Sequence, residues 1–314
     1  MNMEERENNI LEIRGLTKHY SDFTLQDLNL ELPYGCIMGL MGENGAGKST
    51  TIKAALNLIH RDGGTIRMFG EDIGEDNSRL RENIGIVMEG LNLPDLFKAV
   101  EVDSMMRGIY RNWDSDCFYQ YLEKFHINRK KKIKEYSRGM KIKLALSIAL
   151  SHNAGLLILD EPTSGLDPVV REEVLDILKE FVMDESHSVL ISSHIISDIE
   201  KTADYAAFIH QGRLMLCEEK DRLLDEYRIL KGSRSDIMKM EADGGVRVAG
   251  MRENSFGAEA LVKTNSPVKS KEGIVVEAAS LEEIMLFLIK SEDRSCGNAA
   301  VNERKGFYYE RFTL

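Results

Sequence analysis

Residues 36–59 combine an apolar run, a glycine-rich turn and a helical pattern, in that order. Cys36–Met41 (CIMGLM) is continuously apolar and predicts a buried strand, which ends at the glycine-rich stretch Gly42–Thr50 (GENGAGKST). Thr51–Ile59 then carries apolar residues at helical spacing. A strand that passes through such a turn into a helix is a building unit of α/β folds. The chain is therefore predicted to contain an α/β core.

Two further apolar segments end in polar residues. Leu156–Leu159 is followed by Asp160 and Glu161, and Ser188–Ser192 leads through a second serine to His194. Parallel strands present their carboxyl ends at one edge of a sheet, where ligands of open α/β folds bind. The three strands therefore predict a parallel sheet with its functional site along that edge.

The segments before and after this core have other patterns. Ile10–Arg14 and Phe23–Leu32 alternate apolar and polar residues, which predicts an N-terminal antiparallel β subdomain. Residues 91–150 are largely helical in pattern and predict an inserted helical subdomain. These parts together form one predicted domain, residues 1–225.

Residues 226–314 have a different character and predict a small α+β accessory region. Gly273–Ala278 predicts a strand, and Ser280–Ile289 predicts an amphipathic helix. The apolar face of that helix is interpreted as core, with a partner groove as the alternative.

Composition disfavours several classes of protein. A net charge of −11 disfavours a nucleic-acid partner. The four cysteines lie far apart without a Cys-x-x-Cys pair, so neither a zinc site nor a disulfide framework is expected. No segment approaches the roughly 18 consecutive apolar residues that cross a bilayer, and the polar N-terminus is unlike a secretory signal peptide. Any membrane path is expected on another polypeptide.

The glycine-rich stretch satisfies the phosphate-binding loop pattern, and it lies between a strand and a helix as that pattern requires. Backbone N–H groups of such a loop surround a triphosphate. Lys48 is predicted to reach the β- and γ-phosphates, and Ser49 to ligate Mg²⁺. The predicted nucleotide-binding residues of the loop are Gly42, Glu43, Asn44, Gly45, Ala46, Gly47, Lys48, Ser49 and Thr50.

The two carboxylates after the second apolar strand supply acidic groups for metal binding and for hydrolysis. Asp160 is predicted to bind the Mg²⁺ shell, and Glu161 to orient or deprotonate the attacking water. The alternative is that these carboxylates only cap a helix. Hydrolysis of the nucleotide is therefore favoured over binding alone.

Three further segments distinguish among nucleotide hydrolases. Ser137-Arg-Gly-Met precedes a predicted helix, Ser-Gly-Leu-Asp167 follows Glu161, and His194 ends the next strand. Read in order with the loop, residues 10–225 resemble the ABC ATPase family throughout. The resemblance implies a P-loop NTPase core of the RecA type, ATP and Mg²⁺ as cofactors, and a dimer that closes around two ATP molecules.

The family also implies roles for single residues. Tyr20 resembles the aromatic residue that stacks on adenine, with an ordinary strand tyrosine as the alternative. Ser137 and Gly139 resemble the signature motif, which contacts the γ-phosphate bound to the opposite subunit. Asp167 resembles the residue that links the two sites, and His194 the switch histidine on the γ-phosphate, although a histidine after a strand is often structural.

Two residues depart from the common family pattern. Glu89 stands where many members have glutamine, and it is predicted to offer an oxygen to Mg²⁺. Arg138 replaces a glycine in the signature motif and supplies a cation there. These variants look like those of the bacterial branch that pairs with separately encoded export permeases. The resemblance implies a cytoplasmic protein held at the inner face of the membrane by its permease, with Glu89–Leu96 as the coupling surface.

Two other functions and one charge run stay open. A non-transport ABC protein is one alternative, and a regulatory ATP-binding subunit with little turnover is another. Arg129–Lys134 holds five cations in six residues. It is interpreted as a solvated face, with anionic lipid as the alternative.

Overall fold

A computed structural model describes residues 8–74, 78–88, 90, 93–255, 257–264 and 273–298. The chain forms two compact units, Met1–Asp221 and Arg222–Leu314. The strands are β1 Asn9–His19, β2 Thr24–Pro33, β3 Ile37–Met41, β4 Gly63–Met68, β5 Glu71–Asp72, β6 Ile84–Val87, β7 Leu156–Asp160, β8 Ser188–Ser193, β9 Tyr205–His210, β10 Arg213–Glu219, β11 Tyr227–Gly232, β12 Arg247–Asn254, β13 Gly257–Lys263 and β14 Val275–Ala278. The α-helices are α1 Lys48–Ala55, α2 Ser78–Arg81, α3 Ala99–Ile109, α4 Ser115–Lys124, α5 Arg138–Leu150, α6 Pro168–Phe181, α7 Ile196–Thr202, α8 Lys220–Glu226, α9 Arg234–Ala242 and α10 Leu281–Asn298, and a 3₁₀ helix spans Ile133–Glu135.

The first unit contains two sheets. An antiparallel sheet has the order β2-β1-β4-β5, and a six-stranded sheet has the order β10-β9-β3-β8-β7-β6. Strands β9, β3, β8, β7 and β6 run parallel, and β10 pairs antiparallel at the edge. This arrangement confirms the predicted α/β core with an N-terminal antiparallel β subdomain.

The parallel strands lie at the centre of the first unit. Every residue of β3, β7 and β8 is buried, as expected for strands covered on both faces. The two sheets share one apolar core, to which Ile13 of β1, Met38 of β3 and Ile158 of β7 contribute. The carboxyl ends of β3, β7 and β8 therefore meet on a rigid base.

Helix α1 differs from the prediction at both ends. It begins at Lys48, inside the glycine-rich motif, and ends at Ala55, whereas the apolar spacing predicted Thr51–Ile59. Apolar periodicity gives no signal over the polar first turn, and Asn57 adopts a left-handed φ of 53° that a continuing helix does not allow. The correction places Lys48 and Ser49 in the first turn of the helix.

Helices α3, α4 and α5 lie between β6 and β7, where the helical subdomain was predicted. The side chain of Asp103 in α3, which is only 2% exposed, links elements of this subdomain through hydrogen bonds. Its Oδ1 accepts from Ser115 Oγ at 2.6 Å and Trp113 Nε1 at 2.9 Å, and its Oδ2 accepts from Tyr119 Oη at 3.3 Å. Arg107 contacts Oδ2 at 3.1 Å. One carboxylate thus connects α3 to α4 and to the loop between them.

The second unit is an antiparallel sheet with two helices. Its strand order is β12-β13-β11-β14, and α9 packs Ile237 against Leu230 and Val262 of the sheet. Ile284 and Phe287 of α10 are buried, and α10 packs against β12 and β13. The apolar face of the predicted C-terminal helix is therefore core. Within the described residues, no helix has the length and apolar character needed to span a membrane.

Candidate functional site

The glycine-rich loop follows β3 and leads directly into α1. A Cβ atom at Gly42 would lie 2.4 Å from the carbonyl oxygen of Ile209, a contact that no side chain tolerates. Gly47 caps α1 with a φ of 119°, a conformation open only to glycine without strain. The loop backbone therefore requires glycine at both positions. Its shape directs the unpaired N–H groups of the first turn of α1 toward the loop.

Lys48 is nearly buried, with 5% of its surface exposed. Its Nζ donates to the carbonyl oxygens of Gly42 at 2.8 Å and Glu43 at 3.2 Å. It also lies 3.1 Å from Oε1 of Glu161. That oxygen has no hydrogen bond of good geometry among the described residues, so the contact with Lys48 is a charge interaction. One cation thus connects the loop to the acidic end of β7.

Ser49 and Asp160 form an oxygen pair at the start of α1. Ser49 Oγ donates to Asp160 Oδ1 at 3.0 Å, and Ser192 Oγ donates to the same oxygen at 2.7 Å. Hydroxyl and carboxylate oxygens are the ligands that Mg²⁺ prefers, and the ion usually keeps waters and substrate phosphates as its other ligands. No group of three or more His, Cys, Asp or Glu side chains in the described residues could hold a metal ion. The donor chemistry of Ser49 and Asp160 fits a Mg²⁺ site shared with a nucleotide.

Glu161 has an unusual backbone for its type of residue, with a φ of 51°. Its N–H donates to Ser192 Oγ at 3.0 Å, which fixes this left-handed conformation against β8. Its Oε2 lies 2.6 Å from His194 Nδ1 and accepts from the His194 N–H at 3.3 Å. Because a carboxylate only accepts hydrogen bonds, Nδ1 carries the proton in this pair. The turn after β7 therefore presents the Glu161 carboxylate between Lys48 and His194.

Ser192 is a site residue that the sequence patterns did not identify. It is 0% exposed and stands opposite Asp160 in the register of β7 and β8. Its hydroxyl donates to Asp160 and accepts from the Glu161 N–H. Aligning β7 with β8 from the sequence would have placed Ser192 next to Asp160, because the two strands end at the same edge of the sheet.

The aromatic side of the loop involves two residues. Tyr20 is 47% exposed, its ring centroid lies 6.5 Å from that of Phe23, and Lys18 Nζ lies 5.5 Å from its ring. A Cβ at Gly47 would lie 3.1 Å from Phe23 Cζ, so Phe23 packs on the loop itself. Tyr20 is thus about half exposed, and Phe23 connects it to the loop.

The signature segment packs against the segment that contains Asp167. Ser137 caps α5 by accepting from the Met140 N–H at 3.2 Å. A Cβ at Gly139 would lie 3.1 Å from Val170 of α6, and one at Gly165 would lie 2.9 Å from Nη1 of Arg138. In the described part of the chain, no hydrogen bond or ion pair joins Ser137 to the phosphate loop.

Asp167 has a structural role in this chain, because its Oδ1 accepts from the N–H groups of Val169 and Val170 at 3.1 Å each and caps α6. Glu89, the predicted third Mg²⁺ ligand, lies outside the described residues.

Comparison with known proteins identifies the family. A family model described as ABC transporter matches residues 25–164. The bacitracin transport ATP-binding protein BcrA of Enterococcus faecalis is 34% identical over 211 residues, which cover 66% of this chain and 68% of that protein. The chain belongs to the family of ABC transporter ATP-binding proteins. The lantibiotic transport ATP-binding protein SrtF of Streptococcus pyogenes, also 34% identical, covers 68% of this chain and 92% of its own length.

A solved structure supports the same assignment. The ATP-binding subunit of an ABC transporter has a TM-score of 0.63 and 25% identity, and covers 69% of this chain and 92% of that one. The predicted family, the fold class and the ATPase activity are confirmed. This ABC subunit binds and hydrolyses ATP, and works with permease subunits and a second ATP-binding subunit. The roles of its individual site residues stay predictions.

Proposed function

We propose that this ABC subunit hydrolyses Mg²⁺-bound ATP with Glu161 as the base and powers an export permease at the cytoplasmic face of a bacterial membrane. Lys48 binds the β- and γ-phosphates, and Tyr20 stacks on the adenine ring. Ser137 and Gly139 of the partner subunit complete each site from the opposite side. The two subunits close on two ATP molecules and separate after hydrolysis.

The observation that carries this proposal is the position of Glu161 at the end of β7. Its carboxylate lies 3.1 Å from Lys48 Nζ and 2.6 Å from His194 Nδ1. An acid placed beside the phosphate-binding lysine is within reach of a water that attacks the γ-phosphate. A protein that only bound ATP would not require a carboxyl group there, next to the negative charge of a triphosphate.

The neighbouring side chains orient Glu161 and would hold the metal ion beside it. Ser192 holds its backbone, and His194 holds Oε2, so the carboxylate is oriented before a water arrives. Ser49 and Asp160 would hold Mg²⁺, which when bound neutralises phosphate charge and draws electron density from the γ-phosphoryl group. Glu161 then accepts the proton of the water. His194 donates through Nδ1 and stabilises the carboxylate until that proton arrives.

Export of antimicrobial or drug-like compounds is the transport role that the relatives support. Bacitracin and a lantibiotic are named as the transported compounds of two relatives. The motif variants at Glu89 and Arg138 resemble the branch with separate export permeases. The cargo itself is recognised by the permease, which makes it a property of the assembled transporter.

Substitution of the base tests the chemistry. Glu161→Gln preserves the shape of the side chain but cannot accept the proton, so we expect turnover to fall by about 100-fold or more while ATP still binds. ATP hydrolysis and nucleotide binding are measured with the purified protein and Mg²⁺. Glu185→Gln is the matched control, because Glu185 is an exposed carboxylate outside the site. Near-normal hydrolysis by a clean Glu161→Gln preparation would overturn the assignment, and a wild type that binds ATP without turnover would favour a regulatory subunit.

Export is tested in cells that lack the native gene. Wild-type protein with its permease should lower the accumulation of a labelled antimicrobial peptide, and Glu161→Gln should not. Increased accumulation driven by the wild type would reverse the proposed direction.

A further inference from the structure

Residues 128–136 form a cationic loop on the helical subdomain. It carries Arg129, Lys130, Lys131, Lys132 and Lys134, and all except Lys132 are exposed. With Glu135 included, the loop has a net charge of +4 in a chain whose net charge is −11. This is a strong local departure from the character of the whole molecule.

The shape of the cationic loop is set by its other residues. Tyr136 Oη donates to the carbonyl oxygen of Asn128 at 2.9 Å and closes the loop, and Asn128 Oδ1 accepts from the Lys130 N–H at 3.0 Å. Ile133 is 0% exposed, and its N–H donates to the Phe97 carbonyl oxygen at 2.8 Å. The buried anchors fix the backbone, so the cations are not needed to form it.

The cations have no acid partners in the part of the chain that the structure describes. Arg129 lies over the ring of Tyr119 at 5.4 Å, and none of the five forms an ion pair. Lys124 and Lys201, elsewhere in the same unit, pair with Glu180 and Glu172. Closely spaced like charges repel one another and oppose folding. The charge of the cationic loop is therefore explained better by an external anion than by stability.

The position of the cationic loop favours the anionic surface of a membrane as its binding partner. The Lys134 N–H donates to the Asp95 carbonyl oxygen at 3.0 Å, and Lys132 pairs with Lys98 in a β-bridge. The loop is thus joined to the start of the helical subdomain, whose residues 89–96 are expected to contact the permease. Leu96 in that segment is 62% exposed. A cationic surface beside an exposed leucine suits the headgroup region of an anionic bilayer.

We propose that the cationic loop binds anionic phospholipid headgroups of the membrane beneath which the subunit works. This inference rests on the proposed function for the location of the membrane. A net charge of −11 repels an extended polyanion such as DNA, because charges of the whole surface act along its length. A bilayer is met by one face only, and there the loop presents its cations. Each lysine near such a surface strengthens binding roughly fivefold, so three together contribute about 100-fold.

The test uses the full chain and vesicles at low ionic strength. Sedimentation should show binding to vesicles of mixed phosphatidylglycerol and phosphatidylcholine, and weak binding to phosphatidylcholine alone. Lys130→Gln/Lys131→Gln/Lys134→Gln should lose about 100-fold in affinity. The control Lys53→Gln/Lys239→Gln/Lys290→Gln changes the net charge equally at exposed lysines elsewhere and should retain most of the binding. Both triple variants should keep wild-type ATPase activity, since none of these lysines lies in the ATP site.

Several results would overturn the proposal. Equal affinity for the two vesicle types excludes headgroup charge, and equal losses in the two triple variants exclude the cationic loop. Tighter binding to a short DNA duplex than to vesicles assigns the loop to nucleic acid instead. If the triple variant does not fold, vesicle binding of the wild-type protein is measured at high salt instead. About 1 M salt shortens the screening length to about 3 Å, so it must release the protein from the vesicles if headgroup charge holds it there. Glu161→Gln protein, which should not hydrolyse ATP, should still bind the vesicles. Vesicle binding and ATP hydrolysis therefore test the two proposals separately.

Discussion

Ser192 connects the two acidic residues of the site through one hydroxyl group. It donates to Asp160 Oδ1 at 2.7 Å and accepts from the Glu161 N–H at 3.0 Å. Glu161 needs this support because its φ of 51° is uncommon for a residue with a Cβ atom. The geometry of Glu161, the proposed base, thus depends on a residue of the neighbouring strand.

Removal of this hydroxyl should slow hydrolysis more than it weakens the fold. We expect Ser192→Ala to lower kcat by about 10-fold through misplacement of Glu161, with a loss of about 1 kcal/mol in the free energy of unfolding. Ser188→Ala is the matched control, since Ser188 is also a buried serine of β8 and donates to the Pro33 carbonyl oxygen at 3.0 Å. Steady-state kinetics and urea unfolding are measured on both variants. An equal drop in kcat for Ser188→Ala would mean that Ser192 acts only through stability.

At the scale of elements, Asp103 provides the joint between α3 and α4. Burial, the largest single influence, raises the pKa of Asp103. Hydrogen bonds from Ser115 and Trp113 and the charge of Arg107 outweigh burial and hold this pKa below its usual value. A carboxylate with a lowered pKa stabilises the folded state above the pKa of the unfolded chain. This stabilisation is lost as the pH falls through the folded pKa.

Replacement of Asp103 should therefore have a pH-dependent cost. We expect Asp103→Asn to reduce the free energy of unfolding by about 2 kcal/mol at neutral pH, because a buried charged acceptor is lost. The difference from wild type should shrink below about pH 4, where the unfolded carboxylate takes up a proton. Urea unfolding across this pH range measures both effects. Asp176→Asn, at an exposed pair with Lys179, should change little at any pH, and an Asp103→Asn cost independent of pH would refute the charged role.

The contrast between α1 and Asp103 shows what sequence patterns can predict at this scale. Buried parallel strands, the loop motif and its position were predictable, because burial on both faces of the sheet requires continuous apolar runs and the loop backbone requires glycine at fixed positions. The start of α1 at Lys48 was not, because polar residues in a first turn produce no periodicity. The contacts of Asp103 and Ser192 depend on which elements become neighbours in space, and local spacing holds no information on that. The cap of Asp167 on α6 is by contrast a local contact, and Asp167 followed by proline is a sequence signal for it that the family resemblance, which implied a link to the second site, did not use.

At the scale of the whole molecule, the phosphate loop and the signature segment belong to different elements of the first unit. Ser137 and Arg138 pack with α5 and the α6 entry, and no hydrogen bond or ion pair between described residues joins them to Lys48. In the proposed mechanism, a complete site combines Lys48 of one subunit with Ser137 of the other. In a symmetric dimer, each chain contributes to both sites.

Mixing two inactive variants should therefore restore activity. Lys48→Ala removes the proposed phosphate-binding cation, and Ser137→Arg blocks the proposed signature contact, so we expect each homodimer to lack both sites. A mixed dimer combines both defects in one site and leaves the other intact. Random pairing makes half of the dimers mixed, and we expect roughly a quarter of wild-type ATPase activity if the two sites act independently.

The experiment measures ATP hydrolysis by an equimolar mixture of the two variants. Each variant alone, at the same total protein concentration, is a control. Because the mixture contains no wild-type chain, activity equal to the mean of the two controls would mean that each subunit hydrolyses ATP alone or that both sites must be intact. Measuring wild-type activity against protein concentration distinguishes these outcomes, since only a dimeric enzyme loses specific activity on dilution.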